Sequence, residues 1–173
     1  RKKILFLIHT LGVGGAEKVL VNLANNMDKT KYEITVMTVI NTGAFIKELN
    51  NEVKYKYMFN IPFSKRKNVE TKSKEESGSL LNKSSKIKEI LKKTYQFIWR
   101  HISCKIIYKM FIKEKYDYEI AFLEGITAKI ISASTNKESK KIAWIHVDLI
   151  NEKKSEKVFI NRKKEKETYK KFD

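Results

Sequence analysis

The chain has 173 residues, of which 42% are apolar; this is enough for one folded domain and excludes a chain that is disordered throughout. Its net charge of +17 predicts an anionic neighbour (nucleic acid, anionic lipid or a phosphorylated substrate), unless it only reflects a lysine-rich composition. Cys104 is the only cysteine, which excludes an intrachain disulfide, and no apolar run reaches the roughly 18 residues that a transmembrane helix needs. We therefore expect a cytoplasmic protein.

The apolar run from Ile4 to Ile8 leads into a glycine-rich turn and then a helical pattern. The run is continuous rather than alternating, which is typical of a strand covered on both faces in a parallel sheet. From Ala16 the apolar residues follow a helical period. Glycines let a backbone approach a ligand closely, and the positive end of a helix attracts an anion. Gly14 and Gly15 are therefore predicted to lie against a phosphate or carboxylate.

Strands and helices continue to alternate along the chain, which predicts an α/β fold: a Rossmann-like open parallel sheet flanked by helices. Further strands are expected over Glu33–Ile40, Val53–Phe59, Glu119–Leu123 and Lys140–His146. Short helices are expected over residues 44–49 and 126–133, and the charged tail over 151–173 has only a weak helical pattern.

The segment between the third and fourth strands divides into two parts. Residues 61–85 have little periodicity and are expected to form a long mobile loop. Residues 86–113 are expected to form one basic amphipathic helix with many aromatic residues. Such a helix either packs on the sheet with its lysines in water or lies on an anionic membrane surface. The candidates for a membrane face are Lys92, Lys93, Trp99 and Arg100.

Three groups follow predicted strands and should share the carboxyl edge of the sheet, where open parallel sheets bind ligands. They are the glycine turn, Glu124 with Gly125, and His146 with Asp148. Glu17 and Glu124 also stand near predicted helix starts, so each is either a capping carboxylate or a ligand contact. His9 and His101 have no comparable setting.

The segment Gly14-Gly15-Ala16-Glu17-Lys18 resembles the opening of glycosyltransferase family 4, whose members commonly begin with a Lys-Ile-hydrophobic strand and a Gly-Gly-Ala-Glu helix start. Trp144-Ile145-His146 is similar to a recurrent segment of that family. The resemblance is strongest over Lys3 to Val39 and Tyr116 to Leu149. It implies that residues 1–173 are the amino-terminal, acceptor-binding half of a retaining enzyme with the GT-B fold, whose two Rossmann-like domains enclose a cleft.

The resemblance also implies roles for the residues at the carboxyl edge. Gly14 and Gly15 would lie near the donor phosphates, and His146 would be the catalytic contact to the transferred sugar or the reacting phosphate. The acceptor-binding candidates are Glu17, Glu124, Gly125 and Asp148. The enzyme would transfer a sugar from a nucleotide-sugar to a polysaccharide, lipid-linked or other cell-envelope acceptor at the inner face of the membrane.

No cofactor or metal is expected, because the sequence has no Asp-x-Asp pair for a nucleotide-bound metal. The family's donor domain, with its paired glutamates, has no counterpart here, so we expect the chain alone to be inactive. A basic nucleic-acid-binding α/β module is the alternative, although we expect no nucleic acid partner because no helix-turn-helix or RNP-like pattern is present. A nicotinamide-dependent enzyme is disfavoured because Glu17 replaces the third glycine of G-x-G-x-x-G.

Overall fold

The chain folds around a five-stranded sheet. A computed structural model describes residues 1–60, 90, 93–149 and 158–173. The strands are β1 (Lys2–Ile8), β2 (Tyr32–Ile40), β3 (Lys54–Phe59), β4 (Tyr118–Ala121) and β5 (Lys140–Ala143). They lie in the order β3-β2-β1-β4-β5, and every neighbouring pair is parallel. The predicted Rossmann-like α/β fold is confirmed, whereas the loop predicted over residues 61–85 lies outside the described residues.

Helices cover both faces of this sheet. They are α1 (Gly15–Asn26), α2 (described over 93–101), α3 (Cys104–Phe111), α4 (Ile126–Ile131) and α5 (Arg162–Tyr169), with a 3-10 helix at Ala44–Glu48. Within the described ranges, none of the helices has both the length and the apolarity that crossing a bilayer requires.

Alternate residues of β1 belong to two different cores, which explains its continuous apolar run. Ile4, Phe6 and Ile8 are buried in one cluster, together with Leu20 and other residues of α1. Leu5 and Leu7 are buried in the other cluster, which contains residues of α2, α3 and α4. Successive side chains of a strand point to opposite faces, so a strand covered on both sides has no polar face.

The prediction of a single basic helix over residues 86–113 is wrong in one respect, because the described part of this segment forms two helices, α2 and α3. The break lies at Ser103, whose backbone is extended, with φ −73° and ψ 104°. Trp99 and Tyr108 are both buried, at 4% and 2% exposure. A straight helix turns by roughly 100° per residue, so it would place these two side chains about half a turn apart. The break lets both of them face the sheet.

Trp99 therefore does not belong to a membrane face, and that prediction is corrected. Its ring packs against Phe59 and Tyr95, with centroid distances of 6.5 Å and 6.1 Å. Burial of a large aromatic side chain in the core is a strongly favourable contribution. Lys93 and Arg100 are exposed, and Lys92 lies outside the described residues.

Lys129 of α4 connects three segments on one face of the sheet. Its ammonium group donates hydrogen bonds to the backbone carbonyls of Trp99, Arg100 (3.3 Å) and Val158 (3.3 Å). The first two carbonyls lie at the end of α2, and the third lies just before α5. Burial lowers the pKa of Lys129, because desolvation disfavours the charged ammonium form.

The carboxy-terminal segment is part of the fold, although its sequence is mostly charged. Val158 and Phe159 are buried in the core cluster that contains residues of α2, α3 and α4, and the Tyr169 ring packs against that cluster. Asp173 pairs with β5 through two bonds, its N–H donating to the Lys141 carbonyl (2.9 Å) and its carboxylate accepting from the Lys141 N–H (2.7 Å).

Candidate functional site

The candidate site lies where the strand order changes direction. The chain runs from β1 outward to β2 and β3, then crosses to β4 on the other side of β1. In open α/β sheets, ligands bind outside the carboxyl ends of the strands at such a switch point. The glycine turn follows β1, and Glu124 follows β4, the strand next to it. Because all five strands are parallel, the loop carrying His146 after β5 is at the same edge.

The loop after β1 is fixed by backbone contacts with the segment after β2. The Leu11 N–H donates to the Thr42 carbonyl at 3.0 Å, and the Phe45 N–H donates to the Leu11 carbonyl at 3.1 Å. Gly43 lies between these contacts with φ +141°, and a Cβ there would overlap the Leu11 carbonyl group. Gly43 is therefore the residue that fixes this loop, a role that depends on the distant Leu11 backbone and that no local sequence pattern indicates.

The carboxylate of Glu17 lies over the glycine turn. A Cβ added to Gly14 would overlap a Glu17 carboxylate oxygen, and one added to Gly12 would lie 4.0 Å from Oε1 of Glu17. Gly15 has open space around it. A phosphate at the start of α1 would therefore meet a negative charge unless Glu17 turned away. In its present position the carboxylate is an acceptor suited to the hydroxyl groups of a ligand.

His9 is a residue of this edge that sequence analysis set aside. It follows β1 directly, and its Nε2 lies 2.7 Å from the hydroxyl oxygen of Tyr95 on α2. Burial lowers the pKa of His9, and the negative charge of Glu17 opposes this only in part. Burial raises the pKa of Tyr95 to about 12. The signal that could have identified His9 was its place immediately after the first strand.

His146 and Glu124 lie together at the edge of the site. β5 ends at Ala143, earlier than predicted, so His146 stands in the loop that follows it. The backbone N–H of His146 donates to Oε2 of Glu124 at 3.4 Å. The imidazole stacks on Trp144, with 6.3 Å between centroids, and also lies 5.2 Å from the ring of Phe122. The side chain of His146 is exposed, so a ligand can reach it.

A chain of ring contacts relates His146 to β1. Phe6 of β1 meets Phe122 edge-on at a centroid distance of 5.9 Å, and Phe122 in turn contacts His146. Phe6 and Phe122 are both fully buried. A packed aromatic contact of this kind fixes side-chain positions. The position of the His146 loop is therefore tied to the core beneath the glycine turn.

Gly125 has a structural role at this edge. It has φ +80° and stands at the start of α4. Its N–H donates to the hydroxyl oxygen of Tyr169 on α5 at 3.2 Å, and burial raises the pKa of Tyr169 to about 12. The Gly125 amide is thus engaged by the protein itself. Asp148, the remaining acceptor-binding candidate, is exposed on the loop after β5.

A cleft of about 720 Å³ opens between α5 and the loop that carries His146, at Ile145 and Leu149. Ile145, Leu149 and Tyr169 supply apolar surface, and Arg162, Lys166 and Lys170 supply positive charge. Glu165 also lines the cleft but is 2% exposed and forms an ion pair with Arg162 at 2.8 Å. Apolar walls with cationic side chains suit an amphipathic anion.

Neither a metal site nor a similar known protein assigns a function to the residues at this edge. Within the ranges that the structure describes, no group of three or more His, Cys, Asp or Glu side chains is placed to hold a metal ion. No family model, curated protein or solved structure matches the chain. The function is therefore argued from the fold and from the residues at the carboxyl edge.

Proposed function

We propose that this chain is the acceptor-binding half of a retaining glycosyltransferase, which transfers a sugar from a nucleotide-sugar to a cell-envelope acceptor. The observation that carries the proposal is the common location of the glycine turn, Glu124 and His146. They follow three adjacent parallel strands at the switch point of the sheet. That location is the general ligand site of open α/β sheets, and the motif residues that resemble family 4 are the ones found there.

Each side chain at this edge has a chemical role in the proposal. The carboxylates of Glu17 and Glu124 accept hydrogen bonds from sugar hydroxyl groups. The exposed imidazole of His146 donates a hydrogen bond where negative charge develops as the donor phosphate departs. The donor would be held chiefly by a second domain that faces the carboxyl edge of the sheet. Gly14 and Gly15 would form one wall of the donor site once Glu17 turns away. The chain alone then binds without transferring.

The cleft between α5 and the loop of Ile145 and Leu149 favours a lipid-linked acceptor among the cell-envelope classes. A polyisoprenyl or acyl phosphate has an apolar chain and an anionic head group. Ile145, Leu149 and Tyr169 would contact the chain, while Lys166 and Lys170 would contact the phosphate. A neutral polysaccharide would make no use of this positive charge.

The first test is binding by the chain itself. Backbone amide signals of the ¹⁵N-labelled protein are followed by NMR during titration with UDP-, GDP- and ADP-sugars and with a short polyisoprenyl phosphate. The proposal expects shifts at Gly14, Gly15, Glu124 and His146 with a nucleotide-sugar, and at Ile145, Leu149 and Lys166 with the polyisoprenyl phosphate. Shifts confined to other surfaces, or none with any of these compounds, would contradict it.

The second test is sugar transfer by the protein that is expressed from the complete reading frame containing this chain. Transfer of radiolabelled sugar to membrane lipid extract is measured for the unchanged protein, His146→Ala and His101→Ala. Loss of a group that stabilises developing charge typically lowers kcat by about 100-fold or more, so His146→Ala should fall by that factor. His101 is an exposed histidine of α2 whose ring contacts Phe97, and its replacement should leave the rate unchanged.

A further inference from the structure

The outward sides of α2 and α3 expose large apolar side chains. Phe97 and Ile98 of α2 are 63% and 49% exposed, and Ile106 and Met110 of α3 are 59% and 56% exposed. Ile106 and Met110 are four residues apart, so they lie one above the other on the same side of the helix. Ile107 and Tyr108, on the other side of α3, are buried against the sheet. The exposed pair is therefore surplus to core packing.

All the charged side chains of the same segment are positive. Residues 93–113 contain Lys93, Arg100, Lys105, Lys109 and Lys113, and no Asp or Glu. Lys105 and Lys109 are exposed and also stand four residues apart on α3, and Lys113, two residues after the helix, is exposed as well. Within the part of the chain that the structure describes, these three lysines make no ion pair. The contrast is α5, where Lys164 pairs with Glu167 at 2.9 Å.

We propose that Lys105, Ile106, Lys109 and Met110, the outer face of α3, dock on an anionic lipid surface. Ile106 and Met110 enter the boundary between head groups and acyl chains, while the long lysine stems keep their ammonium groups among the lipid phosphates. The positive charge is complementary to the negative surface of a cytoplasmic leaflet. A buried Trp99 takes no part, so this face differs from the one expected from the sequence.

Lipid is favoured over nucleic acid by the apolar half of this face. Lysines alone account for binding to a phosphate backbone, whereas exposed Ile106 and Met110 gain free energy only when apolar atoms cover them. The inference goes beyond the proposed transferase and does not depend on it. A chain without transferase activity could still dock in this way.

The test is co-sedimentation of the full chain with vesicles of phosphatidylcholine containing 30% phosphatidylglycerol, and with vesicles of phosphatidylcholine alone. Each lysine near an anionic surface contributes about fivefold in affinity. Lys105→Glu combined with Lys109→Glu should therefore weaken binding to anionic vesicles by at least about 30-fold. The matched control, Lys47→Glu with Lys137→Glu, makes the same change in net charge at exposed residues elsewhere and should retain most of the binding.

Ile106→Ser combined with Met110→Ser separates insertion from charge attraction. This pair keeps the net charge and should weaken binding to anionic vesicles by about tenfold or more. Circular dichroism and the unfolding temperature establish that each variant remains folded, as expected because all four side chains are exposed.

Several outcomes would overturn the proposal. Equal affinity for anionic and neutral vesicles would remove the electrostatic argument. An equal loss in the Lys47/Lys137 control would show that net charge alone matters. Binding of duplex DNA that is lost in Lys105→Glu/Lys109→Glu but kept in Ile106→Ser/Met110→Ser would identify a nucleic acid instead. A concentration-dependent dimer that Ile106→Ser/Met110→Ser abolishes would identify a second copy of the chain.

Discussion

Replacing Gly43 with alanine tests whether this residue fixes the loop at the candidate site. With φ +141°, Gly43 has a backbone conformation that L-residues rarely adopt, and its added Cβ would overlap the carbonyl group of Leu11. The backbone strain costs about 1–2 kcal/mol. Displacing the Leu11 backbone adds about 1–3 kcal/mol, the usual cost of overpacking. We therefore expect Gly43→Ala to lower the free energy of unfolding by about 2–5 kcal/mol.

The matched control is Gly15→Ala, in the first turn of α1. Gly15 has nothing within 4 Å of an added Cβ, and alanine favours helix over glycine by up to about 1 kcal/mol. This variant should be neutral or slightly more stable. The measurement is urea unfolding of both variants and the unchanged chain, followed by circular dichroism. A free energy of unfolding for Gly43→Ala within about 0.5 kcal/mol of Gly15→Ala would refute the reasoning.

Three further predictions concern titration and buried hydrogen bonds. Burial lowers the pKa of His9, so the protein should lose stability as pH falls below the unfolded pKa near 6.5. The free energy of unfolding measured from pH 5 to 8 should change by at most about 1.4 kcal/mol per pH unit. His9→Asn should reduce this pH dependence. Tyr108→Phe removes the 2.7 Å hydrogen bond to the buried carboxylate of Glu119 and should cost about 1–3 kcal/mol in urea unfolding, a value that an unchanged midpoint would contradict. The pKa of Asp117 is lowered by the Lys3 N–H, 2.7 Å away, and by Lys2. The stabilisation that this carboxylate contributes is present above its unfolded pKa near 3.9 and should be lost as pH falls. Asp117→Asn should reduce that acid dependence in thermal unfolding.

The sheet could be predicted from the sequence because its signals are local. The continuous apolar run of β1 and the change of period after the glycine turn each depend on a few neighbouring residues. β1 begins two residues before the predicted start at Ile4, and α1 begins one residue before Ala16. The carboxyl edge then follows from topology, because parallel strands place their following loops together.

The features that the sequence did not predict depend on contacts between distant segments. Trp99 was assigned to a surface because basic residues surround it in the sequence, but its burial depends on a break at Ser103 and on Phe59 from β3. In the sequence, His9 has no setting comparable to that of His146, because its partner Tyr95 lies 86 residues away and leaves no local pattern. The position of Glu17 over Gly14 depends on a side-chain rotamer, which no sequence period encodes.

The bonds of Lys129 have a consequence for how the protein would sit on a bilayer. Through this one ammonium group the end of α2 and the start of the carboxy-terminal segment are attached to α4. α4 begins directly after Glu124 and Gly125. A chain resting on lipid through α3 would then hold its cleft at a height and tilt set by the folded body rather than by a linker. A lipid-linked acceptor of the proposed kind would then need an apolar chain long enough to extend from the bilayer to Ile145 and Leu149.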